Sequence, residues 1–328
     1  MILNLSTVFF FVKPYNQEMI DKSVKKCVIE APCKINLHLE LGEKREDGFH
    51  KLESLFVPLS LSDTIRVKCL NEAGDCRLSV DWEGPKEDIN HGDNLVFKAA
   101  TLFRRQTGFK NALEIHLYKR IPAGAGLGGG SSDAASTLLA LNYLAKTGLS
   151  PEELMEMAAI LGSDVPFFLF GGAARVSGRG ERVFCIKSGR LKDLWVLIVK
   201  PPFSIDTAFA YRLLDEARER EPLSLSRKGM GAKNFEECLD EDPRSWPFYN
   251  DFLPVFPEAY RLKIFSILEK LDKCGASFKG LSGAGSACFG VFTEKEAGEA
   301  AAKEFAGNGF FARLTFFLAH KANPVLEY

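Results

Sequence analysis

The sequence lacks the residue patterns by which zinc-binding, disulfide-bonded and nucleic-acid-binding proteins are recognised. Its eight cysteines include no CxxC pair, and its five histidines include no HExxH motif. The spacing therefore predicts no protein-bound metal, and it favours reduced thiols over a disulfide framework. Lysine and arginine number 42 against 43 aspartates and glutamates, so the chain has no basic surplus of the kind that nucleic-acid affinity requires. We expect no nucleic-acid partner.

Long apolar runs are also missing. The longest near the start covers residues 8–12, whereas a membrane-spanning helix needs about 20 apolar residues. No basic region precedes this run, and no small-residue cleavage pattern follows it, as a secretion signal would require. The sequence thus predicts no membrane association, and we expect a cytoplasmic protein.

The residues that are present suffice for two packed domains. The chain has 328 residues, 46% of them hydrophobic. This length exceeds what a single hydrophobic core usually organises. Strand-like alternation and helical spacing follow each other along the chain, which indicates an α+β architecture. Strands are predicted over residues 25–41, 63–69, 77–80, 113–118, 173–176, 194–199 and 310–319 and on both sides of 281–286. Helices are predicted over residues 94–108, 134–148, 151–161, 206–217, 257–274 and 294–306, with 218–247 polar and irregular.

A glycine cluster between a predicted strand and a predicted helix is the strongest chemical signal. Five of the seven residues 124–130 are glycine, a density that costs conformational entropy and is poorly suited to packing. Such a loop turns successive backbone N–H groups inward, and the positive end of the following helix adds to the attraction for anions. The pattern predicts a phosphate-binding loop. Candidate caps of the helix behind it are Ser131, Ser132 and Asp133.

Three known phosphate-binding loops fit poorly. Gly124, Gly126 and Gly129 satisfy GxGxxG, but a second capped helix over 151–161 follows the first helix, where a dinucleotide-binding fold would place a second parallel strand. No glycine is followed by lysine, as a Walker loop requires, and the HRD and DFG signatures of protein kinases are absent.

Three motifs follow one another along the chain, at Ala31–Leu37, Pro122–Ser132 and Leu281–Ser286. In this order they resemble the GHMP superfamily of small-molecule kinases, which includes galactokinase, homoserine kinase and mevalonate kinase. Within the superfamily the chain is most similar to the kinases that phosphorylate 4-diphosphocytidyl-2-C-methyl-D-erythritol in the non-mevalonate (MEP) route to isoprenoids. That similarity rests on residues 34–37 with 47–52, on 126–135 and on 161–168; Asn250–Phe252 matches a further family element without an assigned role.

The resemblance implies a fold and a division of the chain. It implies an N-terminal domain like domain 2 of ribosomal protein S5, a ferredoxin-like C-terminal domain, and an active site between them. We place the domains at 19–178 and 179–328. The family's usual start lies near Met19, so residues 1–18 are expected to be an extension. A small-molecule substrate, no membrane and a monomer or weak homodimer are the further expectations.

The resemblance also implies roles for single residues. Asp164 would be the catalytic base and Lys34 its charged partner, because a carboxylate can accept the proton of an attacking alcohol while an ammonium group offsets phosphoryl charge. ATP is the implied co-substrate, and Mg²⁺ would arrive with the nucleotide, with Ser132 placed to reach it. The implied ATP-binding residues are Asn94, Lys119, Pro122, Ala123, Gly124, Ala125, Gly126, Leu127, Gly128, Gly129, Gly130, Ser131 and Ser132. The implied acceptor-binding residues are Asn36, Phe49, His50, Thr207 and Tyr211.

Two positions depart from the family pattern, and two alternatives stay open. Cys33 stands where alanine is usual, and Phe49 replaces a frequent tyrosine, so a hydroxyl hydrogen bond to the acceptor is lost. A homoserine or mevalonate-type kinase would share the phosphate loop but not the Gly48–His50 element. A non-catalytic nucleotide-binding or RNA-binding module of the same fold is the alternative from another class.

Overall fold

A computed structural model of the chain describes residues 24–46, 48–84, 91–220, 234–318 and 325–327. The expected extension 1–18, Met19 and part of the irregular segment 218–247 lie outside the described residues. The strands are β1 Val24–Lys44, β2 His50–Ala73, β3 Cys76–Trp82, β4 Asn111–Lys119, β5 Ala174–Gly178, β6 Arg182–Cys185, β7 Trp195–Lys200, β8 Phe278–Leu281, β9 Cys288–Phe292, β10 Phe311–Phe316 and β11 Val325–Glu327. The helices are α1 Leu95–Thr107, α2 Gly129–Ala145, α3 Pro151–Leu161, α4 Val165–Phe170, α5 Thr207–Arg220, α6 Phe235–Asp240, α7 Glu258–Lys273 and α8 Lys295–Gly307.

The first sheet is built around a long antiparallel hairpin of β1 and β2. Its strand order is β11-β1-β2-β4-β3, and β5 with β6 extends from β2. The predicted strand 63–69 is only the second part of β2, which starts at His50. The first part was missed because residues 54–59 are buried in succession, so the two-residue alternation that signals a strand is absent there.

The second sheet has the order β10-β7-β9-β8, with all neighbours antiparallel. Numbered along the chain, the strands lie in the order 4-1-3-2. Helices α5, α6 and α7 come between the first two strands of the chain, and α8 comes between the last two. This is the ferredoxin-like arrangement, and the α+β fold class is confirmed. The β5–β6 hairpin crosses the expected boundary after Gly178, because β6 pairs with β5 in the first sheet.

Two apolar clusters hold the structure together. In the first, α1 and α2 cover one face of the first sheet, and α2 is buried along most of its length. The second lies between the sheets, where Cys33, Ile35 and Leu37 of β1 meet Ile198 of β7 and Phe289 of β9. Residues 31–39 of β1 are buried throughout, and this strand contributes side chains to both clusters.

Helix ends follow the predicted capping signals in most places. Asn94 caps α1 and Gly108 ends it in a left-handed conformation, while Ser150 and Glu153 form the capping box of α3. The apolar run 165–170, which periodicity left unassigned, forms the short helix α4. No helix among the described residues has the length and apolarity needed to span a bilayer.

A buried histidine links the segment after residue 234 to β1. The His38 ring lies 5.4, 6.2 and 4.5 Å from the rings of Phe235, Phe248 and Tyr249, measured between centroids. Burial lowers the pKa of His38 from 6.5 to about 4, and the charge of Glu53 opposes this only in part. His38 is therefore neutral in the folded protein at neutral pH.

We expect acid to destabilise the protein through His38. The unfolded chain binds a proton near pH 6.5, whereas the folded chain resists protonation until about pH 4. The free energy of unfolding should thus fall by about 3 kcal/mol between pH 7 and pH 4 through this group. Urea unfolding of wild type and His38→Leu across this range would measure it. Parallel pH dependences of the two proteins would contradict the assignment.

Candidate active site

The glycine cluster forms a loop that only glycine accommodates easily. Gly124, Gly126 and Gly128 have φ angles of 58°, 77° and 69°, in the left-handed region where a side chain is strained. These alternating left-handed residues turn the backbone of 124–128 from β4 toward the start of α2. Such alternation makes a concave backbone surface that favours an anion.

The N-terminus of α2 follows directly. The predicted caps Ser131, Ser132 and Asp133 are wrong, because the helix starts at Gly129 and its N-cap is Gly128. The first backbone bond of this helix runs from the Ser132 N–H to the Gly128 carbonyl, at 2.9 Å. Within the described helix, the N–H groups of residues 129–131 thus have no acceptor. The positive end of the helix dipole is available to phosphate oxygens.

The N-terminal and C-terminal motifs meet at Gly126. A Cβ atom on this residue would lie 2.1 Å from the Ser282 carbonyl oxygen, so any side chain would separate the two loops. The Ser282 hydroxyl donates to the Gly126 carbonyl at 2.8 Å and accepts from the Asn36 N–H at 3.3 Å. The three motifs that carry the family resemblance therefore share one contact point.

Lys34 and Asp164 lie together beside this loop. The Lys34 Nζ atom is 3.5 Å from Asp164 Oδ2 and donates to Asn36 Oδ1 at 2.6 Å. It also sits 4.5 Å from the centroid of the Phe56 ring. Burial lowers the pKa of Lys34, while the Asp164 carboxylate acts in the opposite direction. The lysine is buried, but the Asp164 side chain is 34% exposed, so an incoming molecule can reach it.

Gly128 brings the ion pair to the start of α2. A Cβ atom on Gly128 would lie 3.1 Å from Lys34 Cγ and 2.9 Å from Phe168 Cζ. Asp164 precedes α4, yet its side chain caps no N–H group in the described part of the chain. A capping role, the usual one for an aspartate at this position, does not apply. Its carboxylate points instead toward Lys34.

His50 and Tyr211 form an aromatic wall near Asp164, and Phe49 directly precedes His50 in the chain. The Phe49 ring is 51% exposed, whereas the His50 ring is buried and stacks on Tyr211 at 5.3 Å between centroids. Burial, aided by the charge of Asp164, raises the pKa of Tyr211 to about 12. Thr207 is exposed at the first turn of α5, and no contact places it in this wall among the described residues.

The polar edge of His50, expected to meet the substrate, faces protein groups. Its Nδ1 atom lies 3.2 Å from the Gly42 carbonyl oxygen, and its Nε2 atom lies 2.8 Å from Asp215 Oδ1. The other carboxylate oxygen of Asp215 accepts from Lys44 at 2.6 Å. These contacts fasten α5 to the end of the β1–β2 hairpin, so His50 holds the Tyr211 ring in place.

Lys119 lies beneath the first turn of α2 in a buried cluster of charges. Its ammonium group pairs with Asp63 and, at 2.7 Å, with Asp133. Burial alone would lower the pKa of Lys119, but the two carboxylates raise it. Burial raises the pKa of Asp133 to about 8, against the pull of Lys119. A Cβ atom on Gly129 would approach Lys119 Nζ to 3.3 Å, so this cluster lies directly against the end of the glycine loop.

Asn94 lies at the start of α1, and Ser132 lies in the first turn of α2. Asn94 Oδ1 accepts from the Val96 N–H at 2.9 Å, so the predicted cap is present at this position. Ser132 Oγ is buried and hydrogen-bonds to no group in the described ranges. Because buried polar groups are normally hydrogen-bonded, this hydroxyl is suited to bind a ligand. No group of three or more His, Cys, Asp or Glu residues in the described ranges is arranged to hold a metal ion.

Asn250 and Asp251, whose role sequence reasoning left open, tie the C-terminal loop to β1. The Asn250 amide donates to the carbonyl oxygens of Leu281 and Gly283, both at 2.8 Å. The Asp251 carboxylate accepts from the Leu41 N–H at 2.8 Å. The segment therefore fixes the loop that touches Gly126. Only the Asn-Asp-Phe pattern pointed to it, because hydrogen bonds between distant segments leave no periodic signal.

Replacing Asn250 by alanine should destabilise the protein. The variant leaves the buried Leu281 carbonyl oxygen and the partly buried Gly283 carbonyl oxygen without their donor, which we expect to lower the free energy of unfolding by about 2–4 kcal/mol. Urea unfolding would measure the change. Asn308→Ala is the matched control, since exposed Asn308 makes one amide bond to the Glu304 carbonyl and should cost less than about 0.5 kcal/mol. Equal losses in both variants would contradict the role of Asn250.

Comparison with known proteins identifies the family. The profile of the GHMP kinases N terminal domain matches residues 94–172, and that of the GHMP kinases C terminal domain matches residues 243–309. A 4-diphosphocytidyl-2-C-methyl-D-erythritol kinase from Solidesulfovibrio magneticus is 36% identical over 87% of this chain and 95% of its own length. The chain belongs to the 4-diphosphocytidyl-2-C-methyl-D-erythritol kinase family.

Solved structures agree with the membership of this kinase family. A crystal structure of 4-(cytidine 5'-diphospho)-2C-methyl-D-erythritol kinase has a TM-score of 0.69 and 30% identity, covering 89% of this chain and 99% of that one. A homoserine kinase from Cytophaga hutchinsonii has a TM-score of 0.65 but 18% identity, covering 96% and 100%, which shows the shared fold alone. The chain is thus a kinase, and the homoserine or mevalonate-type and non-catalytic alternatives are not supported.

Proposed function

We propose that this protein transfers the γ-phosphoryl group of ATP to the 2-hydroxyl of 4-diphosphocytidyl-2-C-methyl-D-erythritol, giving the 2-phosphate and ADP in the MEP route. One observation carries the proposal beyond family membership. The accessible carboxylate of Asp164 lies 3.5 Å from buried Lys34, and Gly128 connects this pair to the open amides of α2. A base, a cation and a phosphate-binding helix end therefore surround one position.

The chemistry follows from these groups. Asp164 accepts the proton of the acceptor hydroxyl. At the same time the hydroxyl oxygen forms a bond to the γ-phosphorus, and the bond between that phosphorus and ADP breaks. Lys34 stabilises the charge on the transferring group, and Asn36 Oδ1 keeps its ammonium in place at 2.6 Å. Asn36 is itself held by Ser54, whose hydroxyl accepts from its amide at 2.9 Å. We therefore infer that Asn36 positions Lys34, and that alignment contributes much of the rate.

The nucleotide phosphates are proposed to lie along residues 124–132. Their oxygens would accept from the amides at the start of α2, and Ser132 Oγ is the buried hydroxyl available to phosphate or to Mg²⁺. Mg²⁺ bound to ATP would neutralise phosphate charge. Asn94 and Lys119 would contribute indirectly, the first by capping α1 and the second by supporting Gly129 through its carboxylate partners.

The acceptor base is proposed to stack on Phe49, whose ring is 51% exposed, with His50 and Tyr211 forming the wall behind it. Thr207 is a further acceptor contact carried over from the family. The eight cysteines are all free thiols, which favours a reducing compartment such as the cytoplasm. The monomer or weak homodimer expected from the resemblance stays a prediction.

A substrate panel tests the proposal. Purified protein with ATP and Mg²⁺ is supplied separately with 4-diphosphocytidyl-2-C-methyl-D-erythritol, mevalonate and homoserine. ADP release and ³¹P NMR of the product report turnover and the position of the new phosphate. We expect turnover of the first acceptor alone, with the phosphate on its 2-hydroxyl. Turnover of mevalonate or homoserine without turnover of the first would reject the proposed function.

A further inference from the structure

The turn between β5 and β6 lies directly beside the catalytic residue. Gly178 and Gly180 in this turn have φ angles of 78° and 115°, which allow a tight reversal. A Cβ atom on Gly180 would lie 3.1 Å from the Ser163 carbonyl oxygen and 3.2 Å from Ser163 Cβ. The turn therefore packs against the residue that precedes Asp164.

Arg179 reaches from this turn to Phe49. Its guanidinium carbon lies 5.3 Å from the centroid of the Phe49 ring. The backbone of the turn is fixed, because the Arg179 N–H donates to Glu181 Oε2 at 2.5 Å. A guanidinium group stacked on an aromatic ring is held in orientation while its N–H groups at the edge stay directed outward. The guanidinium thus lies beside the exposed Phe49 ring, on a turn that packs against the residue before Asp164, and its charge also acts on Glu181.

The acceptor proposed for this site carries negative charge, so its binding needs a positively charged group. Under the proposed function, on which this inference rests, the acceptor carries a base at one end, a reacting alcohol at the other and a diphosphate between them. Phe49 and Asp164 mark the two ends. Lys34 is engaged by Asn36 and Asp164, and Lys44 is paired with Asp215.

We propose that Arg179 binds the diphosphate of the acceptor and makes the enzyme selective for nucleoside-diphosphate-linked alcohols over free polyols. Arginine suits this task because its planar, permanently charged fork can hold two phosphate oxygens at once. The stacking on Phe49 couples the two parts of recognition, since the same ring that meets the base orients the cation that meets the diphosphate. Arg179 is therefore a specificity-determining residue, distinct from the groups that transfer the phosphoryl group.

Steady-state kinetics of Arg179→Gln and Arg179→Lys test this role. We expect Arg179→Gln to raise the KM for the acceptor about 10- to 100-fold, as loss of a charged hydrogen bond predicts. The KM for ATP should stay unchanged and kcat within about threefold, because the chemical groups remain. Arg179→Lys should recover part of the affinity through its charge. Arg77→Gln is the control, since Arg77 is exposed on β3 of the first sheet, and it should behave as wild type.

Competitive inhibition distinguishes a role of Arg179 in binding the diphosphate from a role in supporting the Phe49 ring. In Arg179→Gln, inhibition by CDP should weaken by a similar factor, while inhibition by cytidine stays unchanged. Equal changes for CDP and cytidine, or no change for either, would overturn the diphosphate role. If wild type fails to phosphorylate the acceptor, the proposed function is rejected. If wild type turns it over and Arg179→Gln keeps the same acceptor KM, only the role of Arg179 is rejected.

Discussion

Asp164→Asn is expected to lower kcat by roughly 10²- to 10⁴-fold, the usual contribution of a general base. The amide keeps the shape of the side chain but cannot accept the proton of the attacking alcohol. ATP binding should persist, because the amides at the start of α2 do not depend on Asp164. Acceptor turnover by steady-state kinetics and nucleotide affinity by calorimetry measure the two effects separately.

The control for this variant is another aspartate far from the loop. Asp81 is exposed and pairs with His116 on the first sheet, so Asp81→Asn should retain full turnover. Near-normal turnover in Asp164→Asn would remove Asp164 from the role of base and leave positioning by Lys34 and α2 as the source of rate. Loss of ATP binding in the same variant would show that the carboxylate supports the nucleotide site.

Gly128→Val should impair ATP use even if the protein folds. Valine is strained at a φ of 69°, and its Cβ would press on Phe168 at 2.9 Å and on Lys34 at 3.1 Å. Relieving this crowding moves the helix start away from the phosphates. We expect the KM for ATP to rise roughly tenfold or more, equivalent to losing one charge-assisted hydrogen bond. Initial rates over a range of ATP concentrations would measure the effect.

Gly148→Val is the matched control for backbone strain. Gly148 has a φ of 68°, yet no atom in the described ranges lies within 4 Å of its Cβ position. This variant should lose about 1–2 kcal/mol of stability from the left-handed conformation and keep the ATP kinetics of wild type. The same KM for ATP in both variants would refute the placement of the phosphates at Gly128.

The phosphate loop shows how far sequence reasoning reaches. Five glycines between a strand and a helix predicted both the loop and its following helix, and β4 and α2 confirm that order. The cap assignment was wrong because three polar residues in a row look like an N-terminus, whereas Gly128 lets the helix begin earlier. Residues 54–59 escaped detection for a different reason, since burial on both faces removes the alternation on which strand prediction depends.

Roles that depend on neighbours distant in sequence were harder to predict. Asn36 was expected at the acceptor, but its side chain is engaged by Lys34 and Ser54. Lys119 was expected beside the nucleotide, yet two carboxylates, from β2 and α2, surround its ammonium group. In both cases the residue type and position suited ligand binding. The competing partners come from strands and helices whose approach local patterns do not reveal.

The sequence by itself determined a two-domain α+β fold and predicted a phosphate-binding loop, because glycine density and residue periodicity are local properties of the chain. Only the tertiary structure decided which side chains lie beside the glycine loop. Lys34 and Asp164 are 130 positions apart in the printed sequence, and their 3.5 Å approach arises because α2 packs against both β1 and α4. The placement of Arg179 over Phe49 likewise depends on the β5–β6 turn resting on Ser163, a contact between segments that no spacing rule connects.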